Sequence, residues 1–254
     1  MISIQNVSKT YKLTKKQKKE LESNTGSISA VNNISFNCEP GKIFSLLGPN
    51  GAGKTSLLRM IATLLKPSSG NILVNNKDTK NNAQEVRSNI GFLTGSTNLY
   101  EKLTPKEIVT YFGELHNMNK KTLKSRTELL FDKLDIHNYS EKRIGQLSTG
   151  MKQRVSIARS MIHDPSVVIF DEPTSGLDVI SANSIIELIR DCKKDGKTVI
   201  FSSHIMSEVD LLCDDLGIIS NGKLIYHNTM ESYRKLAAGR SLTEVFIETV
   251  NTNN

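Results

Sequence analysis

An α/β fold built on a mostly parallel sheet is predicted by three observations. Near-continuous apolar runs, Ile43-Phe44-Ser45-Leu46-Leu47, Val167-Val168-Ile169-Phe170 and Thr198-Val199-Ile200-Phe201-Ser202, read as strands buried on both faces. Stretches with helical periodicity separate them. A glycine-rich turn joins the first run to a helical pattern, Ser56-Leu57-Leu58-Arg59-Met60-Ile61.

Taken in order, Ile2 to Tyr11 alternates loosely and predicts a strand. Residues 12–29 are polar and carry Lys12, Lys15, Lys16, Lys18 and Lys19, which read as a solvated loop, with contact to anionic lipid or a partner as the minority view. Ile34, Phe36 and Cys38 alternate as a second strand, and Glu39-Pro40-Gly41 turns the chain. The next strand runs into Gly48-Pro49-Asn50-Gly51-Ala52-Gly53-Lys54-Thr55. This stretch fits G-x-x-x-x-G-K-[ST], the phosphate-binding P-loop, in its required strand–loop–helix context. Its glycines let backbone N–H groups close around phosphates, and the new helix adds partial positive charge. Lys54 is placed to reach the β- and γ-phosphates of a nucleotide, and the Thr55 hydroxyl to hold Mg²⁺. The helix is expected to end near Leu65, before Pro67, and Asn71 to Val74 to form a short strand closed by Asn75-Asn76.

Between Ser96 and His163 the pattern is helical. Thr104-Pro105-Lys106-Glu107 combines a capping box with proline at the first helical position. Ile108, Phe112 and Leu115 share one face, as do Leu123, Leu130 and Leu134, and both stripes read as packing. In Leu147-Ser148-Thr149-Gly150-Met151-Lys152-Gln153-Arg154, Ser148 can cap a helix opened by Thr149 and Gly150, and a γ-phosphate can also use such a cap. Asp171-Glu172 ends the Val167 run at the carboxyl end of a strand, where parallel sheets carry ligands. A carboxylate there can hold Mg²⁺, and its neighbour can polarise the attacking water. A helix from about Ser181 to Lys194, ending at a left-handed Gly196, precedes the Thr198 strand. Leu216 to Ile219, Asn221-Gly222 and Leu224 to Tyr226 predict a hairpin, and the tail from Met230 is mixed helix and loop.

Bulk properties narrow the class. The 254 residues are enough for a well-buried core. The net charge of +7, from 33 basic and 26 acidic residues, is modestly basic and selects no partner. Cys38, Cys192 and Cys213 share no metal or redox spacing, and an odd count suits a reducing cytosol. Met1-Ile2-Ser3-Ile4-Gln5 has no signal-peptide pattern, and no window approaches the ~18 apolar residues of a membrane span. A role at a membrane therefore requires a separate spanning partner.

Together these motifs resemble the ATP-binding subunit of ABC transporters, along nearly the whole chain. The resemblance implies a P-loop NTPase (RecA-like) core at about 1–95 and 164–222, with an N-terminal antiparallel β-subdomain. It also implies an inserted α-helical subdomain at about 96–163 and a C-terminal extension at about 223–254. It makes residues 48–55 Walker A, 147–151 the signature motif and 167–172 Walker B, with Asp171 a Mg²⁺ ligand and Glu172 catalytic. By the same resemblance Tyr11 stacks on adenine, Ser175-Gly176-Leu177-Asp178 is the D-loop, and His204 is the switch histidine. Two positions depart from the pattern. In the signature, Thr149 and Met151 replace the usual second Gly and the Gln. After Ile90-Gly91-Phe92-Leu93 the chain reads Thr94-Gly95-Ser96, with Gly95 where the family places a glutamine near Mg²⁺. Either Thr94 or Ser96 substitutes through water, or that ligand is missing. Residues 90–103 and the ending Ser241-Leu242-Thr243-Glu244-Val245-Phe246 resemble type-2 exporters, particularly sodium-extrusion NatA-type ATPases.

The resemblance implies two copies sandwiching two ATP molecules head to tail, Lys54, Thr55 and Asp171 of one facing Ser148 and Gly150 of the other. It further implies docking on a membrane permease at the cytoplasmic face of the cell membrane, through the helical insert and residues 91–100, with no nucleic acid expected. A soluble ABC ATPase acting on ribosomes or nucleic acid is the first alternative, but the chain has neither a second ATPase unit nor a long coiled-coil insert. A GTPase would carry Asn-Lys-x-Asp late in the chain, and Asn75-Asn76-Lys77-Asp78 has the wrong spacing and comes too early. A binding module that has lost catalysis is the third alternative, kept open by the missing glutamine.

Overall fold

Ile2, Ile4 and Val7 bury one face of the first strand. The computed structural model, which describes residues 1–14, 26–94 and 99–252, forms β1 from Ile2–Lys12. β1 pairs antiparallel with β2 (Ser27–Cys38) and with β4 (Ser69–Val74), and β4 pairs with the short β5 (Lys77–Asp78). This four-stranded sheet, ordered β2-β1-β4-β5, is the antiparallel subdomain that the family resemblance implies. Asn75 and Asn76, at φ 48° and 63°, supply the left-handed pair that a two-residue hairpin turn needs. The expected loop at 12–29 is shortened at both ends, because Lys12 pairs with Ser27 and the ladder continues. Lys15, Lys16, Lys18 and Lys19 lie outside the described residues.

The second sheet contains β3 (Ile43–Leu47), β6 (Ile90–Leu93), β7 (Val167–Asp171), β8 (Thr198–Ser203), β9 (Asp215–Ser220) and β10 (Lys223–Thr229). Its order is β10-β9-β3-β8-β7-β6, parallel except for the β9–β10 hairpin. Every residue of β3, β7 and β8 is buried. Phe44, Leu46, Val167, Ile169 and Ile200 pack with the antiparallel sheet and α1 (Lys54–Ile61). Leu47, Val168, Phe170, Val199 and Phe201 pack on the opposite side, in the core shared with the other helices. Two buried faces account for the near-continuous apolar runs, and each such side chain contributes about 1.5–3 kcal/mol by leaving water.

Among the described residues, six further helices frame this core: α2 (Ala83–Ser88), α3 (Pro105–Leu115), α4 (Lys120–Lys133), α5 (Thr149–Met161), α6 (Val179–Lys194) and α7 (Met206–Leu212). The tail folds as α8 (Met230–Ala237) and α9 (Leu242–Thr252). The capping box of α3 forms as expected: Glu107 N donates to Thr104 Oγ1 at 3.2 Å, and Thr104 N to Glu107 Oε2 at 2.8 Å.

Three expectations are corrected. α1 stops at Ile61, not near Leu65. Thr63 turns left-handed at φ 61°, and the amides of Leu64 and Leu65 return to Arg59 O. Leu115 is 58% exposed, because α3 ends there and Asn117, at φ 55°, reverses the chain; Val109 is buried with Ile108 instead. α6 begins at Val179, because Asp178 rather than a later residue supplies its cap. Helices α2 and α7 were not expected from the pattern.

Candidate functional site

The P-loop residues leave β3 at Gly48 and enter α1 at Lys54. Two glycines are required by close backbone approach. A side-chain carbon at Gly53, which sits at φ 107°, would lie 2.2 Å from Ala30 O; one at Gly48 would lie 2.2 Å from Ile219 O. No side chain caps α1, so its first amides face a cavity of about 200 Å³. The cavity is lined by residues 50–56, Ala30 and Glu172.

Lys54 is 3% exposed. Its Nζ donates to Gly48 O at 2.7 Å and Pro49 O at 3.1 Å, and stands 3.5 Å from Glu172 Oε1. Burial lowers its pKa, and the neighbouring Glu172 and Asp171 charges oppose that shift. A buried ammonium resting mainly on neutral carbonyls is poised for a stronger anionic partner.

Strand order sets the acidic half. β8 lies between β3 and β7, and its register places Ser202 opposite Asp171 and Ser203 opposite Leu47. Ser202 Oγ donates to Asp171 Oδ1 at 2.7 Å and accepts from Glu172 N at 3.0 Å. Thr55 Oγ1 donates to the same Asp171 oxygen at 3.1 Å. A hydroxyl and a carboxylate in contact are the hard-oxygen pair that suits Mg²⁺, which completes its shell with water and phosphate oxygens. Glu172 is left-handed at φ 50°, and its Oε2 lies 3.5 Å from His204 Nδ1. Lys54, Thr55, Asp171, Glu172 and His204 are thus brought together around one end of the sheet.

Ser148, Gly150 and Asp178 form a separate group, and none of them lines the cavity. Ser148 Oγ accepts from Met151 N at 3.3 Å as the cap of α5. Asp178 caps α6, accepting from Ser181 N and Ser181 Oγ, each at 2.9 Å. A side-chain carbon at Gly150 would lie 2.8 Å from Ser181 Oγ, so the signature turn packs directly on the α6 cap. Tyr11 OH contacts Ser56 Oγ at 3.3 Å, which brings the ring beside the first turn of α1, while Lys9 Nζ lies 5.2 Å from its centroid. Gly95 and Ser96 lie outside the described residues. Cys38, Cys192 and Cys213 are buried and unpaired with one another, and burial pushes the Cys192 and Cys213 thiols up to about 12.

Sequence reasoning missed Ser202, Ser203, Glu208, Gln153 and Ala30. Glu208 accepts from Ser203 Oγ at 2.8 Å and Thr174 Oγ1 at 2.5 Å, and Gln153 Nε2 donates to Pro173 O at 3.2 Å. The signal available for two of them was the pair of hydroxyls ending an apolar run just before His204.

Comparison with known proteins identifies the family of the chain. The profile of the family described as "ABC transporter" matches residues 31–175. The chain is 44% identical over 221 residues to the ABC transporter ATP-binding protein NatA of Bacillus subtilis, spanning 87% of this chain and 90% of that protein. It is 31% identical over 251 residues to the linearmycin resistance ATP-binding protein LnrL of Bacillus subtilis, spanning 99% of this chain and 76% of that one. Among solved structures, the ATP-binding cassette MJ0796, a dimer in a post-hydrolysis state bound to ADP and Pi, superposes with a TM-score of 0.79. The two are 27% identical, over 91% of this chain and 99% of that one.

Proposed function

The chain belongs to the ABC transporter ATP-binding family and is an ATPase, and from that premise we propose that it powers export through a separate membrane permease. The observation carrying the catalytic assignment is the meeting of Lys54, Thr55, Asp171 and Glu172 beside an uncapped helix N-terminus. In this proposal the P-loop backbone N–H groups of residues 50–55 bind the β- and γ-phosphates of ATP, and Lys54 exchanges its loop carbonyls for phosphate oxygens. Tyr11 stacks on the adenine. Thr55 and Asp171 would hold Mg²⁺, which offsets charge on the phosphates when bound. Glu172 takes a proton from water as that water's oxygen bonds to the γ-phosphorus; the bond to the β–γ bridging oxygen breaks, giving ADP and phosphate. His204 hydrogen-bonds the γ-phosphate and keeps Glu172 in place.

The second group of residues receives its role from a second copy. Ser148, Gly150 and Asp178 of one chain meet the nucleotide held by the other, in an ATP-dependent homodimer, and hydrolysis lets the copies part. The helical insert and residues 91–100 dock on the permease, which places the chain peripherally on the cytoplasmic face of the cell membrane. The domain limits are those proposed above: core 1–95 and 164–222, insert 96–163, extension 223–254. Sodium is the cargo favoured by the NatA resemblance. A drug or antibiotic is the second reading, favoured by the linearmycin resistance relative.

Glu172→Gln tests the catalytic assignment. Expected are unchanged ATP binding, phosphate release reduced on the order of 100-fold or more, and accumulation of an ATP-bound dimer by light scattering. Native turnover in this variant would remove Glu172 from the role. Co-purification with a spanning protein tests the permease, and Na⁺ flux in reconstituted vesicles tests the cargo.

A further inference from the structure

We propose that Glu208 is a positioning residue for ATP hydrolysis, its carboxylate tying the segment after Glu172 to the segment carrying His204. The inference rests on the roles just given to Glu172 and His204. Thr174, two residues beyond Glu172, donates its hydroxyl to Glu208 Oε1 at 2.5 Å. Ser203, immediately before His204, donates to Glu208 Oε2 at 2.8 Å. Both hydroxyl residues are buried, Thr174 at 8% and Ser203 at 3% exposure. Ser203 Oγ also accepts from Ile205 N at 3.0 Å, which holds the backbone on the far side of His204. One charged group thus joins two loops whose tips carry side chains 3.5 Å apart.

The placement needs such a tie. Glu172 sits at φ 50°, a left-handed conformation that a glutamate keeps only when its surroundings over-determine it. On one side Ser202 Oγ and Ser202 O receive the Glu172 amide, at 3.0 and 3.3 Å. On the other, Glu172 O accepts from Ser175 N at 3.2 Å, Gln153 donates to Pro173 O, and Thr174 is bound to Glu208. Capping α7 does not account for the carboxylate. That helix has no side-chain cap, and both Glu208 oxygens are engaged by side chains outside it. Charge-assisted bonds to two buried hydroxyls are stronger than neutral ones, so losing the carboxylate frees both loops at once.

The test is phosphate release by the full-length chain, with nucleotide affinity measured separately. Glu208→Ala is expected to lower kcat on the order of 10- to 100-fold, the scale of a misplaced catalytic group, with ATP affinity changed less than about threefold. Glu208→Gln can accept only one of the two hydroxyl bonds and is expected to lie between. Thr174→Val keeps the buried volume and removes one donor; it should lower kcat, and adding it to Glu208→Ala should cost nothing further. In a His204→Ala background the Glu208→Ala loss should shrink, because the two act through one geometry. Losses that multiply independently, or native kcat in both Glu208→Ala and Thr174→Val, overturn the proposal. If Glu208→Ala does not fold, native kcat in Thr174→Val alone overturns it. Native turnover in Glu172→Gln would instead overturn the reading beneath it.

Discussion

The P-loop end and the signature end of this chain are finished to different degrees. At the P-loop end the acidic and basic side chains are satisfied within the chain: Lys54 by two loop carbonyls and Glu172, Asp171 by Ser202 and Thr55. At the signature end the caps are made, but the surface around them is open. Ser148 and Asp178 face solvent, and Val179 and Ile180, next to the α6 cap, are 86% and 77% exposed. Those two are the most exposed large apolar side chains in the described residues. Isolated apolar exposure is ordinary, but here it adjoins the residues we propose to meet a second copy's nucleotide. The contrast teaches that one group of polar side chains is satisfied within the chain and the other is presented outward.

The largest effect expected from breaking this contrast is at Lys54. Lys54→Ala removes the buried cation and should weaken ATP binding by a single chain on the order of 100-fold, read by nucleotide titration. Unchanged affinity would mean that the P-loop end is not the binding end. A smaller effect is expected at the other end. Ile180→Asp sits on an exposed position, so it should leave the melting temperature and single-chain ATP affinity unaltered. It should weaken ATP-dependent self-association about tenfold, measured by sedimentation in the Glu172→Gln background. Native association would show that the apolar pair lies outside the contact between copies.

The smallest effect concerns pH. The Ser181 amide and hydroxyl hold the Asp178 carboxyl below its ordinary value of 3.8. The folded value is the lower one, so the cap's contribution is whole above 3.8 and is lost as pH falls through the folded value. Amide exchange at Ser181 should accelerate, relative to a neighbouring helix, only in that acidic window. An Asp178→Asn variant should lose the dependence, and its persistence there would assign the effect to another group.

Legibility followed the range of the interactions. The P-loop, the α3 capping box, the Ser148 cap and the Asn221-Gly222 hairpin depend on residues within a few positions of each other, and each was readable from local pattern. Asp171-Glu172 was readable because an acidic pair ended an apolar run. Tyr11, Asp178 and His204 entered only through resemblance, since a lone tyrosine, aspartate or histidine carries no local signal. The end of α1 was misplaced because Pro67 is a visible stop, whereas the left-handed turn at Thr63 is not. Ser202, Ser203 and Glu208 were missed because a serine pair and a glutamate in a helical first turn fit many surfaces.

By itself, the sequence determined a phosphate-binding turn, an acidic strand end, helices with their caps, and strands apolar enough to be buried on both faces. These follow from periodicity, backbone freedom at glycine and side-chain chemistry, all of which act over a few residues. Only the tertiary structure decided that β8 lies between β3 and β7, which brings Ser202 to Asp171 and Ser203 beside the root of the P-loop. It likewise decided that Glu208 spans two loops. Strand order is set by the joint burial of whole faces across the sheet, and no single stretch of chain contains the residues that compete for it.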